Sequence, residues 1–314
     1  MNKQSVRNSF LLFLAALIWG MAFVSQSKGM EYMGPLTFNG VRSLIGTLFL
    51  IVYIAITCKT GARDLKKVNW KATIKAGLWC GLLLTTASTL QQYGIAHTTV
   101  GKAGFITTLY IIFVPIAGIF FKKKVGAVIW IAAALAAGGM YLLCMTESFS
   151  LSGGDTLVFL CALFFTAHIM VIDHYADQVD GVIVSCIQFA MAGVVCTFGS
   201  MLFEAPTWTA LKDGVGALLY AGVMSCGIAY TLQIVGQKGV NPTVAALILS
   251  LESVVATVAG VLAYKFGLLQ TDQTMTGRQI VGCALVFLGV ILVQLPWDNL
   301  LKKNKNLEFG ENSR

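Results

Sequence analysis

The sequence predicts an all-α integral membrane protein, with ten transmembrane helices arranged as two inverted five-helix repeats. Three observations predict it. Charged residues are only 11 % of the 314 positions and hydrophobic residues 57 %, with a mean hydropathy of +0.77, whereas soluble domains are about a quarter charged. Apolar stretches recur along nearly the whole chain, each close to the ~20 helical residues that cross a hydrocarbon core of roughly 30 Å. Residues 89–120 also lie over residues 231–262 without a gap, identical at nine positions, among them Thr89/Thr231, Leu90/Leu232, Gln91/Gln233, Gly94/Gly236, Ala117/Ala259 and Gly118/Gly260, which is the mark of an internal repeat.

In chain order the stretches cover 10–27, 34–57, 71–92, 99–121, 125–145, 154–172, 182–203, 214–235, 241–263 and 277–295. They are continuous rather than alternating, and lipid leaves no water to satisfy an open backbone, so helices are favoured over a β-barrel. The first stretch follows Lys3 and Arg7 like a signal peptide. FVSQSKG after it offers no convincing small-x-small cleavage site, however, and a second span follows at once, so it counts as helix 1. The loop SFSLSGGD (148–155) divides the chain into 1–150 and 151–298, five spans each, with a tail at 299–314. A repeat with an odd number of spans enters the membrane in the opposite sense the second time. The halves are then related by a pseudo-two-fold axis in the membrane plane, an arrangement suited to alternating access.

Ten spans put the basic residues on two sides. One side collects Lys3, Arg7, Lys59, Arg63, Lys66, Lys67, Lys71, Lys75, Lys122, Lys123, Lys124, Lys238, Lys302, Lys303, Lys305 and Arg314; the other collects Lys28, Lys102, Lys212, Lys265 and Arg278. Sixteen against five predicts both termini in the cytoplasm. The acidic loop DHYADQVD marks the second half less strongly than the first. The net charge of +8 is therefore a topology signal that needs no nucleic-acid partner, and the loop KTGARDLKKVNWK suits anionic lipid headgroups. The cysteines at 58, 80, 144, 161, 186, 196, 226 and 283 show no C-x-x-C and no histidine at metal spacing, and so read as packing residues. GKAG at 101–104 lacks the phosphate-loop spacing, so ATP-driven chemistry, cofactors and metals are not expected.

Polar residues inside the spans are the candidate functional groups, because each is costly there unless it meets a cavity or a partner. Glu252, in LILSLESVVATVAG, lies about 17 Å along span 9 at 1.5 Å per residue, near the bilayer centre. Its repeat equivalent is Tyr110. Glu252 is a candidate to bind a cationic group or to carry a coupling proton, and interhelical hydrogen bonding is the bland alternative. Arg42 is the only cation well inside a span. It is a candidate for an anionic substrate group or for neutralising Glu252, against snorkelling or capping a carbonyl. His168 in span 6 could relay protons, bind substrate, or simply bond a neighbouring helix. Trp19 and Trp79, each about nine residues into a span, together with Gln91, Gln92, Tyr230 and Gln233, complete the set of cavity candidates. Gln91 and Gln233 stand out as repeat equivalents. Pro115 should bend span 4, and Asn241-Pro242 reads as a cap and first-turn proline opening span 9. Gly77 and Gly81 form a G-x-x-x-G that indicates close packing.

An enzymatic alternative rests on HIMVID, which spells H-x-x-x-x-D, with His168 and the loop residues Asp173, His174 and Asp177. On a continuous helix five residues turn about 140°, which points His168 and Asp173 apart.

LAALIWGMAFV, GPLTFNGVRSLIG, YGIAHTTVGKAGFITTLYIIFVPIAG, GDTLVFLCALFFTAHIMVID and LILSLESVVATVAGVLAY together resemble the EamA-type members of the drug/metabolite transporter superfamily, over about residues 10–295. The resemblance implies a central cavity, alternating access, and export or sometimes import of small metabolites such as amino acids across the bacterial cytoplasmic membrane. The expected partners are thus a small-molecule substrate, membrane lipids and coupling protons; homo-oligomerisation is left open. Two departures stand out. Ser253 replaces the proline that commonly follows the span 9 glutamate, and FFKKK and YKFGLL replace the glutamates common at the ends of spans 4 and 9.

Overall fold

The computed structural model describes residues 3–97, 100–122, 125–144, 152–267 and 275–295. Among them every regular element is helical: α1 (Lys3–Met30), α2 (Pro35–Lys59), a 3-10 turn (Leu65–Lys67), α3 (Trp70–His97), α4 (Val100–Thr107), α5 (Tyr110–Phe120), α6 (Ala127–Cys144), α7 (Gly153–Tyr175), α8 (Gly181–Phe203), α9 (Trp208–Asp213), α10 (Val215–Leu219), a π-helix (Tyr220–Ala229), α11 (Tyr230–Gly236), α12 (Pro242–Leu249), α13 (Leu251–Lys265) and α14 (Gly277–Gln294). Eight runs are long and apolar enough to cross a membrane, and Ala127–Leu143 is a shorter apolar helix. Helix α3 has the length to cross, at 28 residues, but carries Lys71, Lys75, Gln91 and Gln92. The tail 299–314, the join of the two halves at 150/151, Lys123, Lys124 and the side chains of Lys3, Lys102 and Cys144 lie outside the described residues.

Helix ends differ from the sequence expectation where polar residues continue a helix beyond hydrocarbon. Helix α1 runs from Lys3 to Met30 rather than 10–27. A larger difference concerns spans 4 and 9, expected as continuous. Both are interrupted, at Thr108–Leu109 and at Ser250, and Thr108 and Ser250 are equivalent positions of the repeat. A back-bonded hydroxyl sits at both. Thr108 Oγ1 donates back to the carbonyls of Gly104 (2.8 Å) and Phe105 (2.9 Å), and Ser250 Oγ to that of Leu247 (2.8 Å). Such back-bonding competes with the helical ladder and bends it. Three-residue turns follow, Ile111 N–H to Thr108 O and Ser253 N–H to Ser250 O. Pro115, expected to bend span 4, lies inside α5, seven residues beyond the interruption. Pro242 occupies the first turn of α12, where Asn241 accepts from the Thr243 N–H at 2.9 Å.

Packing between the halves is reciprocal. Helix α6 packs on α14, α2 on α8, α3 on α7 and α8, while α1 packs on α13 and on the run 215–236, which also packs on α2. At the α6–α14 crossing a Cβ on Gly139 would lie 2.6 Å from the Gly282 carbonyl, and one on Gly282 would lie 2.6 Å from the Gly139 carbonyl. At the other crossings a Cβ on Gly81 would meet Gln188 Cα and Met191 Cβ, and one on Gly222 would meet the Arg42 carbonyl and Ile45 Cβ. Arg42 and Ile45 thus stand to Gln188 and Met191 as equivalents at a constant offset of 146 residues. The largest buried apolar cluster, including Leu12, Ile111, Val114, Leu247 and Leu249, wraps the two interrupted spans. The opposite faces expose residues such as Leu48, Ile51, Phe198 and Met201, as lipid-facing helices must.

Candidate functional site

The interruptions bring the starts of α5 and α13 together in the interior. Tyr110 opens α5 and Glu252 lies in the first turn of α13. The Tyr110 hydroxyl donates to Glu252 Oε1 at 3.1 Å. A carboxylate at a helix N-terminus also faces the positive end of the helix dipole. Two positions related by the repeat therefore bond each other at the centre of the protein.

Beside this pair lies a cavity of about 50 Å³. Arg42, Gln91, Tyr230, Gln233 and Trp19 line it, with Tyr110 and Glu252. Gln91 and Gln233, equivalent amides, enter from opposite halves. Gln91 Nε2 donates to Thr107 Oγ1 at 3.2 Å, whereas Gln233 Oε1 has no partner among the described residues. Arg42 is 7 % exposed, and its Cζ lies 5.3 Å from the centroid of the Phe38 ring. Its Nε is unpartnered among the described residues, as is Trp19 Nε1. Arg42 and Glu252 form no ion pair there, although both face the cavity. Buried donors and acceptors left open in this way cost about 1–3 kcal/mol each unless a ligand or water meets them. A space of about 50 Å³ admits a few waters.

Three sequence candidates lie elsewhere. Trp79 is 49 % exposed and does not line the cavity. Gln92 is fully buried with both amide atoms unpartnered among the described residues, and does not reach it either. His168 is fully buried behind Tyr230, ring centroids 6.1 Å apart, and its Nε2–H donates to Gln188 Oε1 at 3.0 Å. Tyr230 connects this layer to the cavity, stacking edgewise on Trp19 at 4.5 Å and on Phe189 at 5.1 Å. His174 is exposed at the end of α7, away from buried His168.

Sequence reasoning passed over Gln26, Thr107 and Ser225, along with the apolar lining residues Phe23, Phe165, Ile169 and Leu249. Gln26 and Ser225 are polar residues within apolar stretches, and that signal was open to inspection. Among the described residues the seven cysteines are free, and no cluster of His, Cys, Asp or Glu has metal-binding geometry.

An all-helical membrane protein with an internal cavity that carries several polar side chains has the form of a transporter, and the comparisons agree. The model of the EamA-like transporter family matches twice, over residues 7–145 and 152–295. The chain belongs to that family. It is 31 % identical over 294 residues to a protein of Archaeoglobus fulgidus named "Uncharacterized transporter", covering 90 % of this chain and 84 % of the relative. It is 25 % identical to "Uncharacterized transporter YoaV" of Bacillus subtilis, covering 88 % and 92 % of the two chains. A solved structure titled only "Crystal structure of protein" shares the fold with a TM-score of 0.74 at 17 % identity, covering 94 % of this chain and 99 % of that one.

Proposed function

We propose that the protein is a secondary active transporter that exports a small zwitterionic metabolite, such as an amino acid or a related compound, by alternating access between two inverted five-helix repeats. One observation carries this reading: Tyr110/Glu252 and Gln91/Gln233, two sets of equivalent positions, converge on one cavity that also receives Arg42. Glu252 suits the ammonium group, with Tyr110 holding its carboxyl in place. Arg42, with an open guanidinium donor, suits the carboxylate. Charge binding to charge gives selectivity against neutral solutes. Glu252 is also the group for a coupling proton, because substrate and proton would compete for one carboxylate. The membrane is the bacterial cytoplasmic membrane, with both termini inside, and no cofactor, metal or catalysis is invoked. The enzymatic alternative draws no support from a histidine buried against Gln188.

The test is counterflow of radiolabelled amino acids in proteoliposomes. Saturable exchange by the wild type and at least tenfold slower exchange by Glu252→Gln are expected. An unchanged rate and pH dependence in Glu252→Gln removes that residue from the mechanism, and absence of saturable flux for every solute removes the reading.

A further inference from the structure

Helix run 215–236 contains a feature that its counterpart α3 lacks. Residues Tyr220–Ala229 form a π-helix of ten residues, and the Tyr230 N–H bonds to the Ser225 carbonyl, five residues back. Short π segments recur at functional sites because they cost backbone energy. The reciprocal contacts of Gly81 and Gly222 fix equivalence on one side of this segment, and the identical TLQ sequences at 89–91 and 231–233 fix it on the other. From Gly81 to Thr89 the step is eight residues; from Gly222 to Thr231 it is nine. The second half holds one extra residue here, and the wide helix absorbs it without disturbing the packing at either end.

The extra residue changes what faces the cavity. On an α-helix, residues five apart point about 140° apart. In a π-turn the fifth residue comes nearly above the first, and Ser225, Tyr230 and Gln233 all line the cavity. Helix α3 stays α-helical and contributes Gln91 alone. Ser225 is buried, and its hydroxyl makes no hydrogen bond among the described residues. The π-segment is also clamped against α2, the helix of Arg42. A Cβ on Gly46 would lie 2.6 Å from Cys226 Cβ and 2.9 Å from the Gly222 carbonyl, and one on Gly227 would lie 2.6 Å from Phe49 Cδ1. The wide turn and Arg42 are thus held in one rigid contact.

We propose that the single inserted residue and its π-helix exist to turn Ser225 into the cavity, where its hydroxyl is a specificity-determining ligand for the polar metabolite that Arg42 and Glu252 bind. The role as a substrate ligand rests on the transport reading; the positioning of Ser225 does not. Ser225 supplies one neutral donor and one acceptor beside two charged groups. It therefore separates substrates of equal charge by what they present next to the charged ends.

Two measurements test this on the full chain in membranes. First, S225C is treated with the small thiol reagent 2-aminoethyl methanethiosulfonate, and adducts are counted by intact mass against the parent chain. One additional adduct is expected. Deleting Met224 restores the eight-residue step, and S225C in that background should gain none, while the deletion chain keeps its melting temperature within a few degrees. Equal labelling in both backgrounds overturns the positioning, as does S225C that gains no adduct. Should the Met224 deletion fail to reach the membrane, deletion of Val223 takes its place. Second, S225A should raise KM at least threefold for some transported amino acids and leave others unchanged. Identical KM values for every transported amino acid overturn the specificity role. A wild type without saturable flux for any solute defeats the transport reading instead, and the labelling result still decides where Ser225 points.

Discussion

Arg42 and Gln188 hold equivalent places in α2 and α8, yet one faces the cavity as a cation and the other turns its amide to His168 at 3.0 Å. Tyr110 and Glu252 differ in the same manner, a neutral phenol against an acid, although both open the second segment of an interrupted span. The backbone is duplicated and the chemistry is not. Under the proposed alternating access, a duplicated backbone would let the halves exchange shapes. Under the proposed function, the divergent side chains would let a ligand with two unlike ends lie in one orientation, its positive end to Glu252 and its negative end to Arg42.

Replacing the odd member of each set by its counterpart breaks the comparison most directly. Arg42→Gln should lower amino-acid exchange about a hundredfold, as expected from losing a buried charged contact of about 3 kcal/mol. A smaller loss would place the carboxylate elsewhere. Next comes the bend that the halves share. Thr108→Val and Ser250→Ala each remove a back-bonded hydroxyl, and each should slow exchange by about three- to tenfold with KM little changed. An effect at only one of the two sites would show that the interruptions are not equivalent in use. Capping should matter less. Glu204→Ala should cost about 1–2 kcal/mol, seen as a lower melting temperature, because it leaves two amides of α2 open. Last, Trp79→Leu should alter exchange by less than about twofold, since the ring is half exposed to lipid.

The order of apolar stretches, the internal repeat and the acid of span 9 were all legible in the sequence. The repeat marked Tyr110 as the equivalent of Glu252, but the sequence offered Arg42 as the partner of the acid, and their hydrogen bond, Tyr110 to Glu252, appeared only in the structure. Helix phase was harder to read. When the outside of a helix faces lipid, both faces are apolar and periodicity no longer tells Trp79 from Trp19. Proline drew attention to residue 115, whereas the interruptions fall at Thr108 and Ser250, whose hydroxyls leave no mark in composition. Ser225 stood out only as a polar residue in an apolar stretch; on a regular helix it would point about 140° away from Tyr230, and the wide turn brings both to the cavity.

The starts of α2 and α8 carry a last asymmetry. Asp180 caps its own helix, accepting from the Val182 and Ile183 amides, and Arg63 reaches across to pair with it. At the matching position stands Gly34, with no side chain. The Leu36 and Thr37 amides are instead held by Glu204 at 2.8 and 2.7 Å, from 168 and 167 residues further along the chain. The ribosome delivers that carboxylate only after α8 has been threaded. Until then the leading half waits in the bilayer with an open helix end, so severed copies of the two halves should mature only when made together.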